Sequence, residues 1–269
     1  LGSDPAVPAI PLQSHFVPFG MCFGSDLTAA QQIARCQTRG FTGLASGNFD
    51  LGTLQGYAQH PDVVAGRFKI YGALWFVMTE ELFAASVLTD IEPCIQELGR
   101  LGAYLWMCCN RNNLDSDRRI TVANVQKVAD LCARHGVTLV LYPHGGCAFY
   151  CAEQTKSFLP QINRPNVRIS IHLCHEIMAG NGARIAAVVA AVRNDIVLAS
   201  VSGSAIAVNE NNNWASQIKP LDRGDYDIRP YLQALTTAGY SAPMTLMTYN
   251  LGAPGAPPTA TDHLTRSLK

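Results

Sequence analysis

Short apolar segments alternate with amphipathic segments along most of this 269-residue chain. The apolar segments are nearly uninterrupted, as in strands whose two faces are both buried. Between them, apolar residues recur every three or four positions, which is typical of helices with one buried face. Such alternation at intervals of about 30 residues predicts parallel βαβ units. The predicted strands are residues 16–23, 41–45, 69–77, 104–109, 137–142, 167–173, 196–201 and 244–249.

Eight strand–helix units predict an α/β fold, a single-domain (β/α)8 TIM barrel over residues 15–269. Residues 1–14 contain three prolines and no periodicity, and we interpret them as an extended N-terminal arm. The arm begins with Leu1-Gly2-Ser3, which is typical of the remnant of a cleaved tag. A doubly wound open sheet is the alternative, although no Gly-x-Gly-x-x-Gly pattern follows the first strand.

Signals for helices and loops fall between these strands. Asp26 is the expected N-cap of the first helix, and Gly40 is its expected end. A long loop is predicted over residues 204–220, and glycines and prolines predict another over 252–258. The remaining predicted helices are residues 50–66, 79–102, 122–132, 183–192, 228–238 and 263–269.

The charge pattern limits the partners. Lys plus Arg and Asp plus Glu number 20 each, so the formal net charge is zero. The sequence has neither the basic cluster of a nucleic-acid binder nor a run of like charge. No apolar stretch reaches the roughly 18 residues of a membrane helix. We therefore expect a small, uncharged ligand, and neither a nucleic-acid partner nor a membrane. The chain could also form a homo-oligomer.

The chain has nine cysteines and no Cys-x-x-Cys pair. Most lie within predicted core elements, which predicts buried free thiols. A disulfide between Cys147 and Cys151 is the alternative. Free thiols favour a reducing, cytoplasmic location, although a signal peptide removed before Leu1 would leave no trace in this sequence.

Three histidines come at the ends of predicted strands, where TIM barrels carry their active sites. His144 is followed by two glycines, which let a ligand approach the backbone closely. His172 and His175 come next along the chain, and Glu176 is suited to orient a histidine or to act as a base. We expect His144, His175 and Glu176 to be catalytic. The three histidines either bind one divalent ion (Zn, Mn, Co or Ni) or act without metal as acid, base and hydrogen-bond donors.

Other polar residues at the predicted strand ends suit hydrogen bonds to the hydroxyl groups of a small carbohydrate. Asn110 and Arg111, directly after the fourth strand, are expected to orient the substrate. The expected substrate-binding residues are Asn110, Arg111, Tyr142, Ser202 and Tyr249.

Residues from about 100 to 269 carry several motifs of one family. These are Gly-Val-Thr-Leu-Val-Leu at 136–141, His-Gly-Gly at 144–146, the histidine at 175, Leu-Asp-Arg-Gly-Asp-Tyr-Asp at 221–227 and Gly-Tyr at 239–240. In these features the chain resembles the sugar phosphate isomerase/epimerase superfamily, the xylose isomerase-like TIM barrels.

The resemblance implies a divalent metal held by Glu, Asp, His and a second Glu from the last four strands. It also implies proton transfer next to a carbonyl group through an enediolate. This chain departs from that ligand set, because the four positions align with Tyr142, His172, residues 200–202 and Met247. Methionine does not bind a hard, oxygen-preferring cation, and tyrosine rarely does. His144 and His175 match histidines that usually stand beside the metal.

We therefore expect an isomerase/epimerase- or lyase-type enzyme that abstracts a proton next to a carbonyl in a small sugar or polyhydroxy compound. His175 or His144 would be the base, and His172, or a metal that it helps to bind, would stabilise the enediolate oxygen. The alternative is a non-catalytic carbohydrate-binding barrel that has lost the metal site. A hydrolytic endonuclease, an activity of some relatives, is disfavoured by the neutral charge.

Overall fold

The computed structural model describes residues 16–18, 27–77, 80–110, 118–206, 217–247 and 249. Its strands are β1 (Phe16–Pro18), β2 (Gly43–Ser46), β3 (Lys69–Val77), β4 (Tyr104–Cys109), β5 (Leu139–Leu141), β6 (Val167–His172), β7 (Ile196–Val201), β8 (Gly203–Ser204), β9 (Ile218–Lys219) and β10 (Met244–Leu246). Eight of them form one parallel sheet in the order β1-β10-β7-β6-β5-β4-β3-β2. Because β1 also lies against β2, the sheet curls into a barrel. The predicted TIM barrel is confirmed.

Helices connect the strands. They are α1 (Ala29–Gln37), α2 (Leu51–Gln59), α3 (Pro61–Val64), α4 (Ala85–Leu101), α5 (Arg118–Arg134), α6 (Ala152–Lys156), α7 (Leu159–Ile162), α8 (Leu173–Met178), α9 (Ile185–Val192) and α10 (Arg229–Thr237), with 3₁₀ turns at Glu80–Phe83 and Gly182–Arg184. The buried face of α9, which includes Ile185, Val188 and Val192, belongs to the same hydrophobic core as the strands. No helix among the described residues is long and apolar enough to cross a membrane.

Two helix predictions were wrong in detail. The first helix begins at Ala29 with Thr28 as its N-cap, because Thr28 and Gln31 form a reciprocal capping box; Asp26 is not the cap. The predicted helix over 50–66 is two helices, because Pro61 lacks the N–H that a continuing helix needs. His60 caps the second of them through a hydrogen bond from the Asp62 N–H to its Nδ1.

The strands of the barrel lie where they were predicted, but several of them begin or end at other residues than predicted. β5 and β10 are shorter than predicted, and β2 begins at Gly43 rather than at residue 41. β6 ends at His172 because α8 begins at Leu173, and the sequence analysis missed this helix together with α6 and α7. The region predicted as one loop over 204–220 includes the antiparallel pair β8–β9. Residues 19–23, the 252–258 loop, the helix over 263–269 and the N-terminal arm lie outside the described residues.

Polar and aromatic side chains meet inside the barrel. The Trp106 Nε1–H of β4 donates to Ser170 Oγ of β6 at 2.9 Å, and Ser170 Oγ lies 2.9 Å from His172 Nε2. Because β4 and β6 are not neighbours in the sheet, these contacts cross the barrel interior. His172 also stacks on Tyr142 and on Trp106, with ring centroids 3.9 and 5.1 Å away. The stack fills the barrel below its C-terminal end.

The thiols of the described cysteines are buried and free, as predicted. Cys22 lies outside the described residues. The alternative disulfide between Cys147 and Cys151 does not form, since both are free thiols and the Cys147 sulfur contacts that of Cys108.

Two helical glycines make a matched test of the packing. A Cβ at Gly99 in α4 would overlap the His135 carbonyl oxygen, whereas a Cβ at Gly52 in α2 would meet only Asp50 Oδ1 at 3.6 Å. We expect Gly99→Ala to lower the free energy of unfolding by about 1–3 kcal/mol, because α4 must move away from the end of α5. Gly52→Ala should leave it unchanged or raise it by up to about 1 kcal/mol. Urea unfolding measures both, and equal effects would contradict the close approach of α4 to His135.

Candidate active site

A cavity of about 310 Å³ opens at the C-terminal ends of the barrel strands. Its lining residues come from β3, the segment after β5, α8, β9 and the segment after β10: Leu74, Phe76, Tyr142, His144, His175, Ile218, Met247 and Tyr249. Two of the predicted histidines therefore share the cavity with two predicted substrate-binding tyrosines. The cavity lies where TIM barrels carry active sites.

A tight turn after β5 presents His144. The Cys147 N–H donates to the His144 carbonyl oxygen at 2.9 Å, and Gly146 occupies the turn with φ +81°, which glycine adopts without strain. The turn is fastened to the end of β4 by a hydrogen bond from the Ala148 N–H to the Cys109 carbonyl oxygen at 3.0 Å. The run His-Gly-Gly-Cys thus places residues 144 and 147 on one side of a fixed turn.

The hydrogen bonds of the Gly145 backbone determine which ring nitrogen carries the proton in each of the two cavity histidines. Its carbonyl oxygen lies 2.8 Å from His144 Nδ1, so that nitrogen carries the proton and Nε2 carries the lone pair. Its N–H donates to His175 Nδ1 at 3.2 Å, so the His175 proton is on Nε2, where it donates to the Tyr142 hydroxyl oxygen at 3.3 Å. The two rings lie 4.2 Å apart between centroids. One residue therefore gives the neighbouring imidazoles opposite tautomers.

Burial keeps two of the histidines neutral. Desolvation, and then the neighbouring His144, lower the pKa of His172 and the pKa of His175 well below the usual range for histidine. His175 is 1% exposed, lines the cavity, and contacts the Tyr142 hydroxyl. A neutral His175 is a hydrogen-bond donor to Tyr142 at physiological pH.

His172 lies apart from the other two histidines. It is fully buried in the stack with Trp106 and Tyr142 and does not line the cavity. Its Nδ1 has no hydrogen-bond partner among the described residues. The described residues that could jointly hold a metal ion are Cys108, His144 and Cys147, not the three histidines.

The two sulfur atoms of that group differ in acidity. Cys108 donates to Cys147, and this hydrogen bond, together with His144, lowers the pKa of Cys147 to about 5. Burial and the same contact raise the pKa of Cys108 well above its usual value. The sequence signal for this pair is slight: Cys108 near the end of a strand, and Cys147 three residues after His144.

Comparison with known proteins agrees with the architecture. The family described as xylose isomerase-like TIM barrel matches residues 34–269. The chain belongs to that family.

Solved structures share the fold of this xylose isomerase-like barrel at low identity. D-allulose 3-epimerase from Methylomonas sp. has a TM-score of 0.72 at 16% identity, over 97% of each chain. A probable 3-DHS dehydratase from Bacillus anthracis has a TM-score of 0.71 at 13% identity, over 94% of this chain and 97% of that one. The IOLI protein, solved with a zinc atom, has a TM-score of 0.74 at 15% identity, over 94% and 95%. A comparison with curated proteins finds no match.

The positions that hold the metal in the family do not fit a hard cation here. Tyr142 bonds to His175, His172 is stacked in the interior, and Met247 offers a thioether. In the 200–202 segment, Ser202 Oγ lies 3.3 Å from Ser204 Oγ. These groups supply no carboxylate oxygen, which is what Mg²⁺ or Mn²⁺ prefers.

The other predicted site residues differ in whether they line the cavity. Ser202 is buried beside Ser204 and does not line it. Asn110 directly follows β4; its N–H donates to the Val77 carbonyl oxygen, and it forms an antiparallel bridge with Cys147. Tyr249 lines the cavity, and Arg111 lies outside the described residues. The apolar lining residues Leu74, Phe76 and Ile218 were not predicted, because nothing in a strand pattern marks which ends face a cavity.

Glu176 is fully buried on α8 behind His175 and outside the cavity lining. Its Oε1 accepts the Ala152 N–H at 2.7 Å, and its Oε2 accepts an Nδ2–H of Asn181 at 2.6 Å. Burial raises the pKa of Glu176, while these two donors oppose the rise. The carboxylate ties α8 to the start of α6.

A glutamine at 176 tests this tie. Glu176→Gln turns an NH₂ group towards one of two donors, so we expect a loss of about 1–3 kcal/mol in the free energy of unfolding. The matched control is Glu153→Gln, which breaks an ion pair to Arg184 near the surface and should cost at most about 1 kcal/mol. Chemical denaturation measures both. Equal stability of Glu176→Gln and wild type would contradict the role of the carboxylate as an acceptor of two hydrogen bonds.

Proposed function

We propose that this barrel removes a proton from the carbon next to a carbonyl group in a small, uncharged sugar or related polyhydroxy compound. Isomerisation, epimerisation or β-elimination then follows. The observation that carries the proposal is the pair of cavity imidazoles whose opposite tautomers are set by Gly145. The fold shared with an epimerase and a dehydratase supports a sugar-modifying enzyme.

His144 is the base in this proposal. Its Nε2 carries the lone pair, and the carbonyl oxygen of Gly145 holds the opposite nitrogen protonated. Phe76 meets the ring edge-on at 5.9 Å between centroids, which limits its rotation. The carbon-bound proton moves to Nε2, and the electron pair of the C–H bond moves into the carbonyl group to give an enediolate. Return of the proton at another position or face gives an isomer or epimer; loss of a β-hydroxyl as water gives an elimination product.

Tyr142 stabilises the oxygen that becomes negative. Its hydroxyl oxygen accepts from His175 Nε2–H, which polarises the phenol O–H as a donor towards the substrate oxygen. The lining is mostly apolar, and a site with little water strengthens such a hydrogen bond. His175 thus acts through Tyr142, and Glu176 is a positioning residue that holds α8 and hence His175.

The lining also indicates the class of substrate. None of the described lining residues is Lys or Arg, the side chains that most often pair with a phosphate group, which favours an unphosphorylated sugar. The volume of about 310 Å³ is at the small end of ligand sites. Tyr249 is proposed to bind a substrate hydroxyl, and Asn110 and Arg111 stay predicted substrate-binding residues, whereas Ser202 is buried outside the cavity lining.

The test is exchange of carbon-bound protons in D₂O, followed by NMR, with a panel of unphosphorylated aldoses, ketoses and keto-sugars. A substrate should incorporate deuterium next to its carbonyl group and yield an isomer, epimer or dehydrated product. His144→Ala should lower the exchange rate by about 10²–10⁴-fold, because the base is removed. His175→Ala should lower turnover as much as Tyr142→Phe, by about 10²-fold or more, since Tyr142 then loses its donor.

Tyr142→Phe separates the hydroxyl from the stack. The phenylalanine keeps the ring contacts with His172 and Trp106, so kcat should fall by about 10²-fold or more while the fold is retained. Tyr150→Phe is the control, because Tyr150 is exposed and outside this cavity. Full activity of both His144→Ala and His175→Ala would overturn the assignment. Stabilisation by a sugar, with no exchange for any compound, would instead favour the non-catalytic binding barrel, which the loss of the family's metal ligands also favours.

A further inference from the structure

Two cysteines and a histidine converge at the end of β4. Cys108 Sγ lies 3.8 Å from Cys147 Sγ, and Cys147 Sγ lies 3.4 Å from His144 Nδ1. All three ligand atoms lie within 4.8 Å of one another. Cys108 is held by the barrel strand, and the turn that carries the other two is fastened to the same strand end. The cluster is therefore fixed before any ligand binds.

These distances are those of a tetrahedral zinc site. With Zn–S bonds of about 2.3 Å and Zn–N bonds of about 2.0–2.1 Å, tetrahedral angles place two sulfur ligands about 3.8 Å apart and a sulfur and a nitrogen about 3.6 Å apart. The observed separations of 3.8 and 3.4 Å match these values, and zinc binding requires His144 Nδ1 to exchange its hydrogen bond to the Gly145 carbonyl oxygen for the metal. The third pair of ligand atoms, Cys108 Sγ and a His144 ring nitrogen, also lies within 4.8 Å.

We propose that Cys108, Cys147 and His144 bind one zinc ion through the two sulfur atoms and Nδ1. Two thiolates and an imidazole favour zinc over the hard cations that prefer carboxylate oxygen. Three protein ligands leave a fourth position for water or another small ligand, the arrangement of zinc sites that keep an open coordination position. The site differs from that of the family, because none of its ligands occupies the four metal positions, Tyr142, His172, 200–202 and Met247.

The ion can reach the cluster from two sides. His144 lines the main cavity, and Cys147 lines a second cavity of about 220 Å³ together with Gly145, Gly146 and Tyr150. Binding releases the remaining thiol proton to solvent and moves the imidazole proton from Nδ1 to Nε2. The zinc-bound His144 and the proton-abstracting His144 are thus different tautomers that exclude each other. The zinc site goes beyond the proposed function and does not depend on it.

Cobalt titration gives a readout that needs no turnover. The reduced full-length protein, stripped with a chelator, is titrated with CoCl₂ under nitrogen and then with ZnCl₂. We expect one equivalent of Co²⁺ to produce thiolate-to-cobalt charge-transfer absorption and the intense visible bands of tetrahedral cobalt, and Zn²⁺ to abolish both. Wild-type protein without these bands would overturn the zinc site and leave the proton-abstraction proposal untouched.

Single substitutions identify the ligands. Cys108→Ser and Cys147→Ser should each remove the charge-transfer band or weaken Co²⁺ binding by more than about 100-fold, and His144→Ala should weaken it similarly. Cys132→Ser, at a buried cysteine on α5, and His172→Gln should retain the wild-type spectrum. Cys147→Ser changes a turn rather than a strand, so it keeps the test decisive if Cys108→Ser does not fold. Unchanged bands in folded Cys147→Ser, or loss of the bands in folded Cys132→Ser, would contradict the assignment.

Discussion

The stack of Tyr142 on His172 and Trp106 supports the whole candidate site. Ring-to-ring distances of 3.9 and 5.1 Å leave His172 no room to rotate, and Ser170 accepts the indole N–H beneath it. The stack is buried, and the hydrogen bonds that join Trp106 to Ser170 and Ser170 to His172 hold it within the barrel, which makes it costly to displace. The stack therefore fixes the position of Tyr142. Its hydroxyl contacts His175, and both residues line the cavity. The chemistry proposed for the mouth depends on this interior packing.

Much of the barrel could be predicted from the sequence, because buried parallel strands leave an unmistakable apolar pattern. β3, β4 and β7 have the predicted limits, since each is a largely apolar run of six to nine residues. Helix limits were harder: the capping box at Thr28 and the break at Pro61 depend on local hydrogen bonds that periodicity does not report. Short helices such as α8 lack the length over which a period can be recognised.

The position of the site could be predicted from the sequence, but the contacts between its side chains could not. His144 and His175 share the cavity because both follow strands whose C-terminal ends meet. The sequence analysis grouped His172 and His175 with His144 at the ends of the strands. In the structure α8 begins between them, so His172 stays in the barrel interior while His175 turns towards Gly145. Cys108 and Cys147 are distant in sequence, and their contact follows from the turn being tied to β4, which no local pattern encodes.

Gly145 couples the two cavity histidines, because its backbone forms a hydrogen bond with each of them. Its N–H and its C=O flank a single Cα, so the torsion angles of one residue orient both groups. A change in those two angles would withdraw the acceptor from His144 and the donor from His175 in the same movement. A movement of this backbone therefore cannot remove the hydrogen bond of one imidazole and keep that of the other. The two hydrogen bonds form together or break together.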